Sequence, residues 1–210
     1  AHGLIEGAVT RIAQDEVDLV VQGPAASVDD ARAIAAIAGC EEIVPLSRGA
    51  APAWRLGSPQ ARDGVAEACA ARRLDAAFVP RKRRLADVRV VAMDMDSTLI
   101  TIECIDEIAD MKGLKPEVAA ITAGAMRGEI DFAQSLTQRV ALLAGLPVEA
   151  LERVYAERLR ISVGAARMLA GFKAAGATTA LVSGGFTYFT DRLKAALPLD
   201  VAVANTLGVD

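Results

Sequence analysis

Residues 88–98 read VRVVAMDMDST. An apolar run, 88–93, ends without a spacer on two carboxylates one residue apart, Asp94 and Asp96. The run suits a buried parallel strand. Burying a carboxylate at a strand end is costly unless it is paired or meets a metal ion. Ligand sites in open α/β sheets lie at that same carboxyl edge. Two carboxylates leaving a strand as it loosens into a turn can share a hard cation such as Mg2+, which prefers oxygen ligands and water. The cation offsets repulsion between carboxylate and phosphate, so Asp94 can serve as a nucleophile that forms an acyl phosphate. Asp96 can protonate the leaving alkoxide and then deprotonate the attacking water. The plainer reading is a strand-end turn in which Asp and Ser act as local caps.

A second stretch answers the first. Residues 183–187 read SGGFT and follow the strand expected at 178–182. A hydroxyl and two glycines at a strand end, just before a helix, can present N–H groups to an anion. Alone, a Gly-Gly turn between strand and helix is common and carries little. Paired with Asp94 and Asp96 on one edge of one sheet, it points to phosphate chemistry.

Between the two stretches the pattern is helical. Helices are expected at 103–112, 116–126, 132–144, 147–158 and 164–175, separated by Gly or Pro. A helix at 188–196 leads to a strand at 200–204. A strand, a helical insertion of about 103–160 and then helix–strand units imply a Rossmann-like parallel α/β core with an inserted helical cap, spanning 85–210. Upstream, residues 1–84 read as a small α+β unit. Strands are expected at 18–23, 42–46, 52–56 and 76–79, the middle two joined by a Gly-containing turn. Helices are expected at 28–38, capped by Ser27 and ended by Gly39, and at 59–73, capped by Ser58. The order is βαββαβ, an antiparallel sheet with its helices on one face. Residues 81–84, RKRR, read as a solvated linker in preference to a phosphate or nucleic-acid patch.

Composition narrows the function classes. The 210 residues are 53% apolar and 24% charged, with net charge −4 and 4% aromatics. That suits a globular chain and argues against a nucleic-acid partner. No stretch reaches the 18 or so apolar residues of a membrane span, and no signal pattern opens the chain. Cys40, Cys69 and Cys104 are widely spaced, so free thiols in a reducing cytoplasm are expected. His2 is the sole histidine. It reads as a loose terminal residue, and a histidine-based triad is excluded.

Together MDMDST and SGGFT resemble motifs one and two of the haloacid-dehalogenase (HAD) superfamily of phosphotransferases. ITIECIDEIAD (100–110) and AMRGEIDFAQSLTQRVALL (125–143) are similar to the cap region of its phosphoserine phosphatases. The resemblance covers about 88–210; the first unit resembles ACT-like (ferredoxin-like) domains in element order only. The resemblance implies hydrolysis of O-phosphoserine to serine, the last step of serine biosynthesis, by a Mg2+-dependent cytoplasmic enzyme. Asp94 would be the nucleophile and Asp96 the general acid/base. Mg2+ would bind the Asp94 carboxylate and the Asp96 backbone carbonyl. Ser183, Gly184 and Ser97 would hold the phosphate. Glu103 would pair with the substrate ammonium, and Arg139 would take its carboxylate in a two-pronged bond. Met126 and Phe132 would close over the substrate. Without the resemblance, Glu103 reads as a helix N-terminal charge, Arg139 as a surface residue, and Met126 and Phe132 as core.

The family also uses a lysine beside the nucleophile and a later G-D-G-x-N-D type motif, and neither is present by Asp210. The chain therefore reads as C-terminally truncated and itself inactive, since one lost charged contact costs about a hundredfold to a thousandfold. An incomplete sheet would expose an apolar flank and favour association, a homodimer included. Two other functions compete: an amino-acid-sensing module in the first unit, and phosphatase or phosphotransferase action on another small ester.

Overall fold

The computed structural model describes residues 17–47 and 51–208. His2 and the turn expected at 48–50 lie outside the described residues. The chain divides into two compact units, Ala1–Arg84 and Leu85–Asp210.

The first unit is α+β. Its elements are β1 (Val17–Gln22), α1 (Val28–Ala38), β2 (Glu42–Ser47), β3 (Ala53–Gly57), α2 (Val65–Ala71) and β4 (Asp75–Pro80). The sheet is antiparallel in the order β2-β3-β1-β4. Val17, Leu19 and Val21 are buried, the period-two signature of a strand with one face on a core. Leu19, Val21, Trp54 and Leu56 share that core with Ala31, Ile34, Val65 and Cys69 of the two helices. Ser27 opens α1 with a reciprocal capping box: its hydroxyl accepts from the Asp30 N–H, and the Asp30 carboxylate accepts from the Ser27 N–H. Gly39, at φ 66°, closes it.

Two expectations in this unit need correction. The helix expected at 59–73 is only Val65–Ala71, and Ser58 does not cap it. Ser58 sits at φ 51°, its N–H points at Asp18 and its hydroxyl accepts from Arg81. The N–H groups of Gln60 and Ala61 both go to the Ala38 carbonyl. Those bonds hold 58–61 out of a helix, and Gly64 starts α2 instead. Nor is 81–84 merely a solvated linker, because Arg81 binds the buried Asp18 carboxylate at 2.8 Å.

The second unit is α/β. A parallel sheet in the order β5-β6-β7 comprises β5 (Val90–Met93), β6 (Thr178–Phe186) and β7 (Val201–Asn205). Four helices follow β5: α3 (Cys104–Asp110), α4 (Lys115–Met126), α5 (Phe132–Leu142) and α6 (Glu149–Arg153). A wider turn, Val154–Arg158, replaces the end of the helix expected to 158. Then come α7 (Ala165–Ala174), packed on β6, and α8 (Thr187–Ala196), packed on β6 and β7. Met95, Leu99, Ile105, Leu181, Phe186 and Phe189 belong to a single core. The segments entering and leaving the four-helix stretch bond to each other, Thr101 N–H to Arg160 O and Ser162 N–H to Leu99 O.

The expected strand 88–93 is parallel, but it is not fully buried: Val90 is 60% exposed. Among the described residues β5 pairs with β6 alone, so it is an edge. Val182, Val201 and Val203 are also exposed. All three cysteines are free, Cys69 and Cys104 buried and Cys40 half-buried. Among the described residues no helix is long and apolar enough to cross a membrane.

Candidate active site

The carboxyl edge of the three-stranded sheet opens on a cleft of about 240 Å³. Asp94, Asp96, Glu103, Phe132, Arg139, Ser183 and Gly184 all line it. Seven of the residues singled out in the sequence thus meet in one place, although up to 90 residues separate them.

Local backbone chemistry places the two aspartates. Asp94 ends β5 in an extended conformation, and its Oδ1 accepts the Met95 N–H at 2.7 Å. The chain then makes a wide turn closed by the Ile100 N–H on the Met95 carbonyl at 3.0 Å. Asp96 is extended within that turn and Ser97 is left-handed, at φ 50°. The buried Met95 side chain points into the core, and the flanking aspartates line the cleft. Burial pushes the Asp96 carboxyl up to about 6; the Cys104 N–H at 3.4 Å opposes that rise, and the charges of Glu103 and Asp94 add to it.

The opposite wall comes from β6. The motif 183–185 lies inside the strand rather than after it, and the ladder skips there. Val182 pairs with Val203 and Phe186 with Asn205, so three residues of β6 face one of β7. The bulge turns Ser183–Gly185 toward the aspartates. A Cβ on Gly185 would stand 2.8 Å from Met95 Cε, 3.2 Å from Ser183 Oγ and 3.3 Å from Asp96 Oδ2. Only glycine lets the two motifs approach so closely. The Ser183 hydroxyl accepts the Gly185 N–H at 2.9 Å. Strand β6 runs straight into α8, which has no side-chain cap at its N-terminus, so its first N–H groups start at the cleft wall.

The helices supply the rest. Phe132, Leu136 and Arg139 line the cleft at i, i+4 and i+7 along α5. The capping box of Asp131 and Gln134 fixes where that helix begins. The Phe132 ring crosses to the bulge, with Cζ 3.1 Å from a Cβ placed on Gly184. Arg139 is steadied by a bond from Nε to the Ser135 carbonyl at 3.3 Å. Glu103 stands just before α3 and makes no capping bond to it.

Two residues fall elsewhere. The Ser97 hydroxyl donates to Glu103 Oε1 at 2.6 Å, and Ser97 does not line the cleft. Met126, at the last turn of α4, is 85% exposed and does not line it either. Ile105, Leu136, Gly185 and Phe186 complete the wall. The α5 periodicity that picks out Phe132 and Arg139 would have found Leu136. Asn205, whose side chain reaches the Gly184 carbonyl at 2.8 Å, is a further residue that the sequence motifs do not mark. Its only signal was a polar residue ending the apolar run VAVAN.

The arrangement is a set of hard oxygen donors facing a hydroxyl and backbone donors, with one carboxylate and one guanidinium at the rim. It can receive a phosphate ester that carries both charges of an amino acid. Residues 88–210 match the haloacid dehalogenase-like hydrolase family. A phosphoserine phosphatase from a Polaromonas species is 56% identical over 125 residues, covering 59% of this chain and 53% of that protein. A crystal structure of a probable phosphoserine phosphatase from Vibrio cholerae aligns with a TM-score of 0.73 at 33% identity, over 96% of this chain and 62% of that one. A substrate-bound phosphoserine phosphatase complex aligns at 0.55 and 41% identity, over 59% of this chain and 58% of that one. The chain spans about half the length of the curated relatives it matches.

Proposed function

The chain belongs to the haloacid dehalogenase-like hydrolases, and on that premise we propose that it is the nucleophile-bearing part of a Mg2+-dependent phosphoserine phosphatase. One observation carries this reading. Paired strand-end aspartates, a hydroxyl-glycine bulge and an oppositely charged Glu103 and Arg139 share a single cleft. The relatives named phosphoserine phosphatase support the choice of substrate.

In this reading the substrate carboxylate meets the Arg139 guanidinium, and its ammonium meets Glu103. Holding both ends aligns the ester for in-line attack. A carboxylate oxygen of Asp94 attacks phosphorus and the P–O(serine) bond breaks. The leaving alkoxide takes the proton of the Asp96 carboxyl. Asp96, now ionised, takes a proton from a water whose oxygen attacks the same phosphorus. Phosphate leaves and the Asp94 carboxylate is restored. A group titrating near pH 6 can act in both directions close to neutrality. The Ser183 hydroxyl and the Gly184 N–H hold the phosphate oxygens, and Phe132 covers them.

The donor set fits a hard cation in part. Asp94 and Asp96 offer oxygen ligands, and their mutual repulsion is part of what raises Asp96. Among the described residues no group of three acidic, histidine or cysteine side chains stands ready for a metal. Asp94 and Asp96 would hold Mg2+ together with water and phosphate oxygens. Bound there, Mg2+ offsets the charge between carboxylate and phosphate. Three free thiols suit the reducing cytoplasm to which we assign the enzyme.

The test is acid-quenched turnover of phosphoserine with Mg2+ by the protein that carries this sequence. Mass spectrometry should find one phosphoryl group on the peptide containing Asp94, and D94N should abolish both the adduct and turnover. An active D94N with no trapped adduct ends the proposal.

A further inference from the structure

The Gly184–Gly185 peptide unit is gripped at both ends by side chains. Its carbonyl accepts from Asn205 Nδ2 at 2.8 Å, and its N–H donates to Ser183 Oγ at 2.9 Å. The two grips come from different strands. Ser183 belongs to β6 itself, and Asn205 ends the neighbouring strand, β7.

The register explains why a side chain is needed. Where the ladder skips between Val182 and Phe186, the bulge leaves the regular pairing with β7. A peptide freed from its ladder can rotate about the flanking bonds, most easily between two glycines. Asn205 pairs with Phe186 in the resumed ladder, so its backbone is fixed. Its side chain then reaches back two residues along β6 to the carbonyl the ladder no longer holds.

That orientation decides what Ser183 can offer. A hydroxyl has one donor and two acceptor sites. Because Oγ already accepts from the Gly185 N–H, the hydroxyl proton remains for another acceptor, and Ser183 lines the cleft beside Asp94 and Asp96. If the peptide flipped, its carbonyl would turn toward Oγ and take that proton. We propose that Asn205 is a positioning residue: by holding the Gly184 carbonyl it keeps the Ser183 hydroxyl proton directed at a phosphate oxygen in the cleft. The inference rests on the reading of the bulge as the phosphate cradle.

The test uses N205A and N205D in the protein that carries this sequence, with Mg2+ present. Inorganic phosphate is the binding probe and phosphoserine the substrate. A partly exposed hydrogen bond predicts a loss of about threefold to tenfold in phosphate affinity and in kcat/KM for N205A, with the melting temperature changed little. N205D keeps the shape but donates only when protonated. Its deficit relative to wild type should therefore shrink as pH falls from 7.5 toward 4.5, which a purely structural loss would not do.

The inference is overturned if both variants match wild type in phosphate binding and turnover; the proposed activity then still stands. If wild type binds phosphate without hydrolysing phosphoserine, and N205A weakens that binding, the activity falls and the role of Asn205 survives. A wild-type protein that binds no phosphate, or an N205D deficit that ignores pH, sinks the inference.

Discussion

Ser97 donates its hydroxyl to Glu103 Oε1 at 2.6 Å, tying the turn that follows β5 to the entrance of α3. The Glu103 side chain makes no capping bond to the helix it precedes, so this contact sets its direction. A hydrogen bond to a charged group contributes about 1.5–3 kcal/mol when buried and less in the open. We expect S97A to raise KM for phosphoserine by about threefold to tenfold, with kcat nearly unchanged. A phosphate ester without an amine should show no such effect. Equal losses on both esters would mean that Ser97 serves the phosphate rather than the ammonium.

Gly185 is the point where the two motifs touch. In G185A the new methyl meets the flexible end of Met95, but also Ser183 Oγ and Asp96 Oδ2. Methionine can yield; the two polar atoms can yield only by leaving their places. Displacing reacting groups by a fraction of an ångström should lower kcat by about tenfold to a hundredfold. Steady-state kinetics checks this, and G185A with unaltered kcat would show that the close approach is dispensable.

Asp96 should carry a stability cost. Its carboxyl titrates near 6 in the folded protein, against an ordinary value of 3.8. Raising a carboxyl disfavours the ionised form, so folding binds a proton between those values. Stability from this group is greatest below about pH 4, declines as pH rises to about 6, and stays low above. Without Mg2+, D96N should therefore be more stable than wild type by about 1–2 kcal/mol at pH 7.5, and the gap should close at pH 4. Urea unfolding followed by circular dichroism in a chelator decides it. Wild type and D96N with parallel pH profiles would refute the assignment. The same variant should lose turnover, the trade between stability and function expected of a charged site.

How far the sequence reveals this site follows from the range of the interactions involved. Asp94 and Asp96 are legible because a strand and its end are local features. So is the face of α5 that carries Phe132 and Arg139, since helical periodicity needs only a few neighbouring residues. Ser58 misleads because its alternatives, Asp18 and Arg81, lie 40 residues upstream and 23 downstream. A cap residue and a residue with better partners elsewhere look alike in sequence. The bulge at Ser183–Gly185 depends on how β6 registers against β7, and Asn205 gains meaning only from that register. Val90 reads as core from its neighbours alone, although an edge strand leaves it exposed.

The first unit offers a test that the cleft does not touch. Asp18 is buried on β1, bonded by Arg81 at 2.8 Å and approached by Arg55 at 3.8 Å. Burial raises its carboxyl, but the bonds from Arg81 and from the Ser58 N–H outweigh that and hold it below the usual range. A lowered folded value means the contribution is present above about pH 4 and is lost as pH falls through the folded value. In R81A only the Ser58 N–H and Arg55 still offset burial, so the Asp18 carboxyl rises and the buried charge becomes a liability at neutral pH. We expect a loss of about 1–3 kcal/mol at pH 7, limited because Arg55 remains. The loss should shrink at pH 4.5, where the stranded carboxyl can protonate. Trp54 is the sole tryptophan of the chain and sits in the core of this unit. Its fluorescence during urea unfolding therefore reports this unit alone. A loss that is the same at both pH values would place the effect of Arg81 in packing and not in its charge.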